Sequence, residues 1–147
     1  MDVNEQVFSY AYKNGVETVL NPAPANKPSD ILLQNTSWFI PNEIEFEEIY
    51  GDVFNENNLL LFAKNVDTNV VVTLGEKGCA YIENNSVKII KADSVKAIDT
   101  TGAGDAFVGA FSFALASKLD IEECLKLALK KATDSVTKKG TQSSYKN

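Results

Sequence analysis

The sequence predicts an α/β fold, a mostly parallel sheet with helices on both faces. Apolar residues recur at helical spacing in several segments, and short β-branched runs of strand length fall between them. Most of those runs end on proline or asparagine, where a strand has to stop. Helices alternating with short buried strands are the pattern of a covered parallel sheet. With 147 residues, 44% hydrophobic and 23% charged, the chain suits one domain or part of one.

The elements follow in order. Residues 3–14 carry Val3, Val7, Tyr10 and Ala11 at helical spacing, and Gly15 stops the helix. "VETVLN" (16–21) is a strand, ended by the prolines at 22, 24 and 28 of "NPAPANKP". "SWFIPN" is a second short apolar run ending on proline and asparagine, and "NEIEFEEIYGDVF" then has helical spacing at Ile44, Ile49 and Val53. Its first turn is acidic, as a helix dipole favours. Residues 57–66 form another amphipathic helix. "NVVVTLGEKGCAYIENNSVKIIKA" reads as a buried strand, a glycine-bounded turn and a hairpin with "NNS" (84–86) at its tip. A short apolar run then leads to Asp99, and "AFVGAFSFALA" is a helix. A last helix spans 120–138 with Ile121, Cys124, Leu125, Ala128, Leu129 and Ala132 on its apolar face, and "KKGTQSSYKN" is a polar, turn-like tail. No internal repeat, low-complexity stretch or linker stands out.

Composition removes whole classes of chemistry. A net charge of −6 gives no overall field that would recruit nucleic acid or an anionic membrane surface; a local basic patch, for instance near Lys138 and Lys139, stays open. There is no histidine, so histidine bases, serine–histidine triads and imidazole metal sites are excluded. Proton transfer falls to carboxylates, lysine, tyrosine or cysteine. Cys79 and Cys124 sit far apart in apolar segments and read as buried thiols of a reducing compartment. No apolar run approaches membrane-spanning length, and no signal-like leader opens the chain. A soluble, cytoplasmic setting is the expectation.

In a parallel α/β sheet, ligands bind at the carboxyl ends of the strands. The candidates are therefore Asn21, Asn42, the "TLGEKG" of 73–78, and Asp99 to Asp105. Gly102, Ala103 and Gly104 let backbone N–H groups converge where the following helix aims the positive end of its dipole, an arrangement suited to phosphate. Asp105 would repel a phosphate unless a hydroxyl lies between them. In that case it takes the hydroxyl proton while the N–H groups hold the charge on a transferring phosphoryl group. The same residues also read as a flexible turn with Asp105 as a helix N-cap. No G-x-x-x-x-G-K-[ST] loop occurs, and Phe107 stands where a dinucleotide fingerprint needs its third glycine.

"DTTGAGDAFVGAF" resembles the carboxyl-terminal signature of the PfkB, or ribokinase-like, carbohydrate kinase family. "NPAPA" (21–25), "PNEIE" (41–45), "VVVTLGEKG" (70–78) and "KKGTQSSY" (138–145) match in the same order, and together they cover nearly the whole chain. The resemblance implies a three-layer, Rossmann-like fold of the ribokinase kind and ATP-dependent phosphorylation of a small sugar, ribose above all. Magnesium and an activating monovalent cation, K+, would be the ions, and the complete protein would be a homodimer. Another sugar, a nucleoside, or nucleotide binding without catalysis are the alternatives.

Residue by residue, the resemblance makes Asp105 the catalytic base facing the sugar hydroxyl, and Gly102, Ala103 and Gly104 an anion hole. Asn42 and Glu45 match an N-x-x-E motif tied to magnesium and phosphate; they also spell a helix capping box. Thr73, Gly75 and Gly78, with Gly104, match the nucleotide-binding strand and turns, although the first three would equally suit an ordinary hairpin. Leu129 stands where some relatives carry a polar residue near the nucleotide base, so an apolar contact is expected there. Asp99, Thr101, Ser135, Lys138, Gly140 and Ser144 match the loops that hold the monovalent cation, largely through carbonyls. The family's amino-terminal half, with its sugar-recognising residues and lid, has no counterpart in these residues. The chain alone is therefore expected to be inactive, and to fold poorly or dimerise through uncovered apolar surface.

Overall fold

Capping residues punctuate most of the helices. Asp2, Ser29, Asn42, Asn55 and Asp120 stand at the N-caps of α1 (Val3–Lys13), α2 (Asp30–Gln34), α3 (Glu43–Tyr50), α4 (Glu56–Val66) and α6 (Ile121–Val136). Only α5 (Ala103–Ala116) begins differently, from Gly102 in the left-handed region. The strands are β1 (Val19–Leu20), β2 (Trp38–Phe39), β3 (Asn69–Thr73), β4 (Cys79–Glu83) and β5 (Ser86–Ile90). This computed structural model describes residues 2–140, so Ser144 lies outside the described residues. The chain divides into two units: Met1–Thr73 with Ala80–Lys88, and Leu74–Cys79 with Ile89–Asn147.

The sheet runs in the order β1-β2-β3-β4-β5, with β1, β2 and β3 parallel. The connections to β4 and β5 are too short for parallel crossovers, so these strands add an antiparallel edge. Asn84 and Asn85 both have positive φ (50° and 58°), as a two-residue type I′ turn requires. Ser86 already belongs to β5, so the tip is one residue tighter than "NNS".

The core of the first unit joins the valines of β3 and Phe39 of β2 to aliphatic and aromatic side chains of the helices. Val70, Val71 and Val72 are at most 2% exposed, and Phe46 stacks edge-on against Phe54 and Phe62 with centroids 5.7 and 5.4 Å apart. Near the start of the parallel strands, Thr18 N–H donates to Ser37 Oγ and Ser37 N–H donates to Thr18 Oγ1, so hydroxyls replace missing ladder partners. In the second unit α5 and α6 pack together. Phe107, Phe111 and Ala114 are buried on α5, and Cys124, Leu125, Ala128 and Leu129 on α6.

Several elements differ from expectation. α3 stops at Gly51, whose φ of 87° closes the helix. Val53 is thus outside it and 61% exposed, while Ile44 is 67% exposed; Phe46 and Ile49 form the buried face. The short apolar run before Asp99 forms no strand, since 91–98 has charged residues between its apolar ones and leaves Val95 and Ile98 exposed. Val3, Val7 and Tyr10 of α1 do share a face, but all three are exposed. Among the described residues no helix is long and apolar enough to cross a membrane.

Candidate functional site

The carboxyl ends of the three parallel strands gather the first group of polar residues. Asn21 follows β1, Asn42 follows β2, and Thr73 ends β3. A single bridge pairs Asn42 with Thr73 in parallel register, and Thr73 N–H donates to Pro41 C=O at 3.0 Å. Asn42 Oδ1 accepts the Glu45 N–H and Glu45 Oε2 accepts the Asn42 N–H, both at 2.8 Å. The capping box anticipated from N-x-x-E is therefore formed. It occupies one oxygen of each residue. Among the described residues Asn42 Nδ2 and Glu45 Oε1 make no hydrogen bond, and no buried side-chain oxygen or nitrogen is left unpartnered. Glu45 Oε1 is thus not fully sealed from solvent, although Glu45 is buried.

The second unit holds the remaining candidates. Between β3 and β4, Leu74 N–H donates to Gly78 C=O at 2.8 Å, closing a tight loop over the 3₁₀ turn Gly75–Lys77. Gly75 has φ of 58° with nothing within 4 Å of where a side chain would begin. Gly78 differs: a Cβ there would lie 1.9 Å from Ile90 O and 2.9 Å from Ala92 N. Its missing side chain makes room for the protein's own backbone, whereas Gly75 leaves its space open toward solvent.

At the start of α5, Gly102 is the N-cap with φ of 79° and ψ of 5°, and Asp105 is the third helical residue. The N-cap reading of Asp105 is corrected by this placement. In α1 and α3 the acid at the third position closes a capping box, Glu5 and Glu45 accepting their N-cap N–H groups; in α6 only the Glu123 backbone N–H takes part, donating to Asp120. Asp105 is exposed and has no hydrogen-bond partner among the described residues. The left-handed N-cap accounts for this, because a capping box needs the cap residue in the extended region. Ala103 N–H turns to Thr100 C=O at 3.3 Å, so among the described residues the Gly104 and Asp105 N–H groups stay open at the helix mouth.

Asp99 ties two loops. Its Oδ1 accepts the Thr101 N–H at 2.9 Å and its Oδ2 the Gly140 N–H at 3.2 Å. Those bonds, with Thr101 first, hold its carboxyl below the ordinary aspartate range. Val136 C=O accepts both the Ile98 and Asp99 N–H groups, at 2.7 and 3.2 Å. Thr101, Ser135, Lys138 and Gly140 are thereby brought around one junction; Val136, which organises it, was missed because a carbonyl leaves no side-chain signature. Ser135 is buried with its hydroxyl donating to Ala132 C=O, and its own C=O accepts the Lys138 N–H. Leu129, at 7% exposure, belongs to the buried face of α6. Among the described residues no three His, Cys, Asp or Glu residues cluster as a metal site. Burial raises the Cys79 thiol to about 12, which leaves it protonated and inert.

Comparison with known proteins places the chain in a family. The sequence matches "pfkB family carbohydrate kinase" over residues 1–147. A ribokinase of Haemophilus influenzae is 44% identical over 146 residues, covering 95% of this chain and 47% of the relative. A deoxyribokinase of Salmonella typhi is 39% identical over 144 residues, covering 94% and 47%. Among solved structures, Arabidopsis thaliana ribokinase complexed with ribose and ATP superposes with a TM-score of 0.86 at 28% identity, over 97% of this chain and 48% of the other. The chain spans about half the length of the relatives it matches.

Proposed function

The chain belongs to the pfkB family of carbohydrate kinases, and we propose that it carries the phosphoryl-transfer machinery of an ATP-dependent sugar kinase. The observation that carries this reading is the unengaged Asp105 carboxylate at the mouth of α5, beside the open N–H groups of Gly104 and Asp105. A base must reach an external proton, and a carboxylate tied into a cap could not. The acceptor hydroxyl oxygen attacks the γ-phosphorus of ATP, its proton passes to Asp105, and the bond to the ADP oxygen breaks. The N–H groups meet the charge on the transferring group without reorganising.

Glu45 Oε1 fits a hard cation held through water, and the open Asn42 amide N–H, a donor, fits an oxygen of the phosphate bound to it. Glu45 would hold magnesium there, where it neutralises nucleotide phosphate charge. Thr73, Gly75 and Leu129 are the further residues assigned to the nucleotide in this reading, Gly75 because open space stands where its side chain would begin. Gly78 supports that turn from behind. The Asp99 junction, with Thr101, Ser135, Lys138 and Gly140, would hold K+ through carbonyl oxygens; Ser144, assigned to the same role, lies outside the described residues. The whole protein in this reading is a cytoplasmic homodimer.

Ribose is the proposed acceptor. Because relatives named for ribose and for deoxyribose are similarly close, the test offers both, with adenosine as a third acceptor. ATP-dependent formation of ribose 5-phosphate by the whole protein, faster than phosphorylation of 2-deoxyribose or adenosine, is the expected result. Phosphorylation of none of them would refute the kinase reading.

A further inference from the structure

Strand β1 ends at a gap in its hydrogen-bond ladder. Val19 pairs with Trp38 and Leu20 with Phe39, and Ile40 N–H donates to Leu20 C=O at 2.8 Å. In parallel register the next bond would run from the N–H of residue 22 to Ile40 C=O. Residue 22 is Pro22, which has no N–H. Asn21 fills the place: its Nδ2 donates to Ile40 C=O at 3.1 Å. Its Oδ1 accepts the Ala23 N–H, also at 3.1 Å, which turns the donor end of the amide toward β2.

The residues that follow Ile40 are held one after another. Pro41 C=O accepts the Thr73 N–H, and Asn42 closes the capping box with Glu45. Ile40 and Phe39 are wholly buried, so a carbonyl released here would have to shift the chain to find a new donor. That shift would be passed to the residues at which α3 begins.

We propose that Asn21 is a positioning residue for Asn42 and Glu45. Its amide stands in for the N–H that Pro22 lacks and fixes the chain from which Asn42 is presented. The functional consequence rests on the proposed role of Asn42 and Glu45 in handling nucleotide and magnesium.

The test compares Asn21→Ala, Pro22→Ala and the double variant in the whole protein, because Pro22→Ala restores a backbone N–H where the ladder needs one. Losing one net hydrogen bond predicts a ~3–10-fold rise in the KM for magnesium–ATP in Asn21→Ala. kcat and the sugar KM stay within about twofold, and the Asn42 and Glu45 amides exchange with solvent faster. On the Pro22→Ala background the Asn21→Ala effects vanish. Asn21→Asp, of the same shape without the donor, gives the same directions if Asn21→Ala does not fold. Unchanged amide exchange, or an increase that Pro22→Ala does not reverse, overturns the proposal. Asn42→Ala separates the two claims. If exchange responds but neither Asn21→Ala nor Asn42→Ala moves the nucleotide KM, positioning stands and the role given to Asn42 fails; if Asn42→Ala alone moves it, positioning by Asn21 is overturned.

Discussion

Replacing Gly78 with alanine should damage the fold far more than the same change at Gly75, two glycines that look alike in "TLGEKG". Gly78 has φ of 109° and ψ of −131°, a conformation costing a side chain about 1–3 kcal/mol. A Cβ would also stand 1.9 Å from Ile90 O, so the backbone must open by more than about 1 Å to reach ordinary contact. Overpacking of this kind costs about 1–3 kcal/mol. Reduced freedom of the unfolded chain returns roughly 0.4–1 kcal/mol, leaving a net loss of about 3 kcal/mol. At Gly75 the space is empty, and the left-handed penalty of about 1–2 kcal/mol is largely offset by the same unfolded-state gain. Urea unfolding of the whole protein reads both; thermal midpoints should fall by roughly 6–12 °C for Gly78→Ala and by a few degrees at most for Gly75→Ala. A Gly78→Ala variant within about 1 kcal/mol of the parent would refute the close-approach reasoning.

Three further predictions follow from the site. Asn42→Ala removes the cap of α3 and should cost about 1 kcal/mol in urea unfolding while raising the magnesium–ATP requirement; no change in either measurement contradicts the double role. Asp99 has a depressed folded-state pKa, so its contribution is fully present above the unfolded aspartate value and is lost as pH falls through the lower folded one. The stability gap between the parent and Asp99→Asn should therefore be full near neutral pH and close in acid, and a pH-independent gap would count against the Thr101 and Gly140 contacts. Cys79, with its thiol pushed up to about 12 by burial, should resist a maleimide at mildly alkaline pH until the chain is unfolded in urea; native labelling at the unfolded rate contradicts that burial.

The parallel strands were readable as short continuous apolar runs, as at Val70–Val72, and the long helices as apolar residues at helical period, as in the Cys124, Leu125, Ala128, Leu129 stripe. The five-residue α2 was not anticipated, being too short to show a period; Ser29 capping Leu32 N–H before two buried leucines was its only signal. In α3 the helical spacing of Ile44, Ile49 and Val53 picks out the buried face only at Ile49, because Gly51 ends the helix before Val53 and Ile44 points outward. The N-x-x-E pair spelled both a cap and an ion site, and the cap is formed while one Glu45 oxygen stays open. What no pattern could disclose were backbone relations: Gly78 against Ile90, Val136 C=O receiving two N–H groups, and the side chain of Asn21 completing a ladder that Pro22 interrupts.

Turnover of the Asp105→Asn variant in the whole protein tests the central claim most directly. The carboxylate makes no hydrogen bond to the described residues, so its loss should cost the fold no more than the ~0.3–1 kcal/mol of a first-turn acid on the helix dipole. kcat should fall by at least ~10²-fold, the scale of a positioned base. Near-normal turnover in that variant would remove Asp105 from the transfer step and contradict the account.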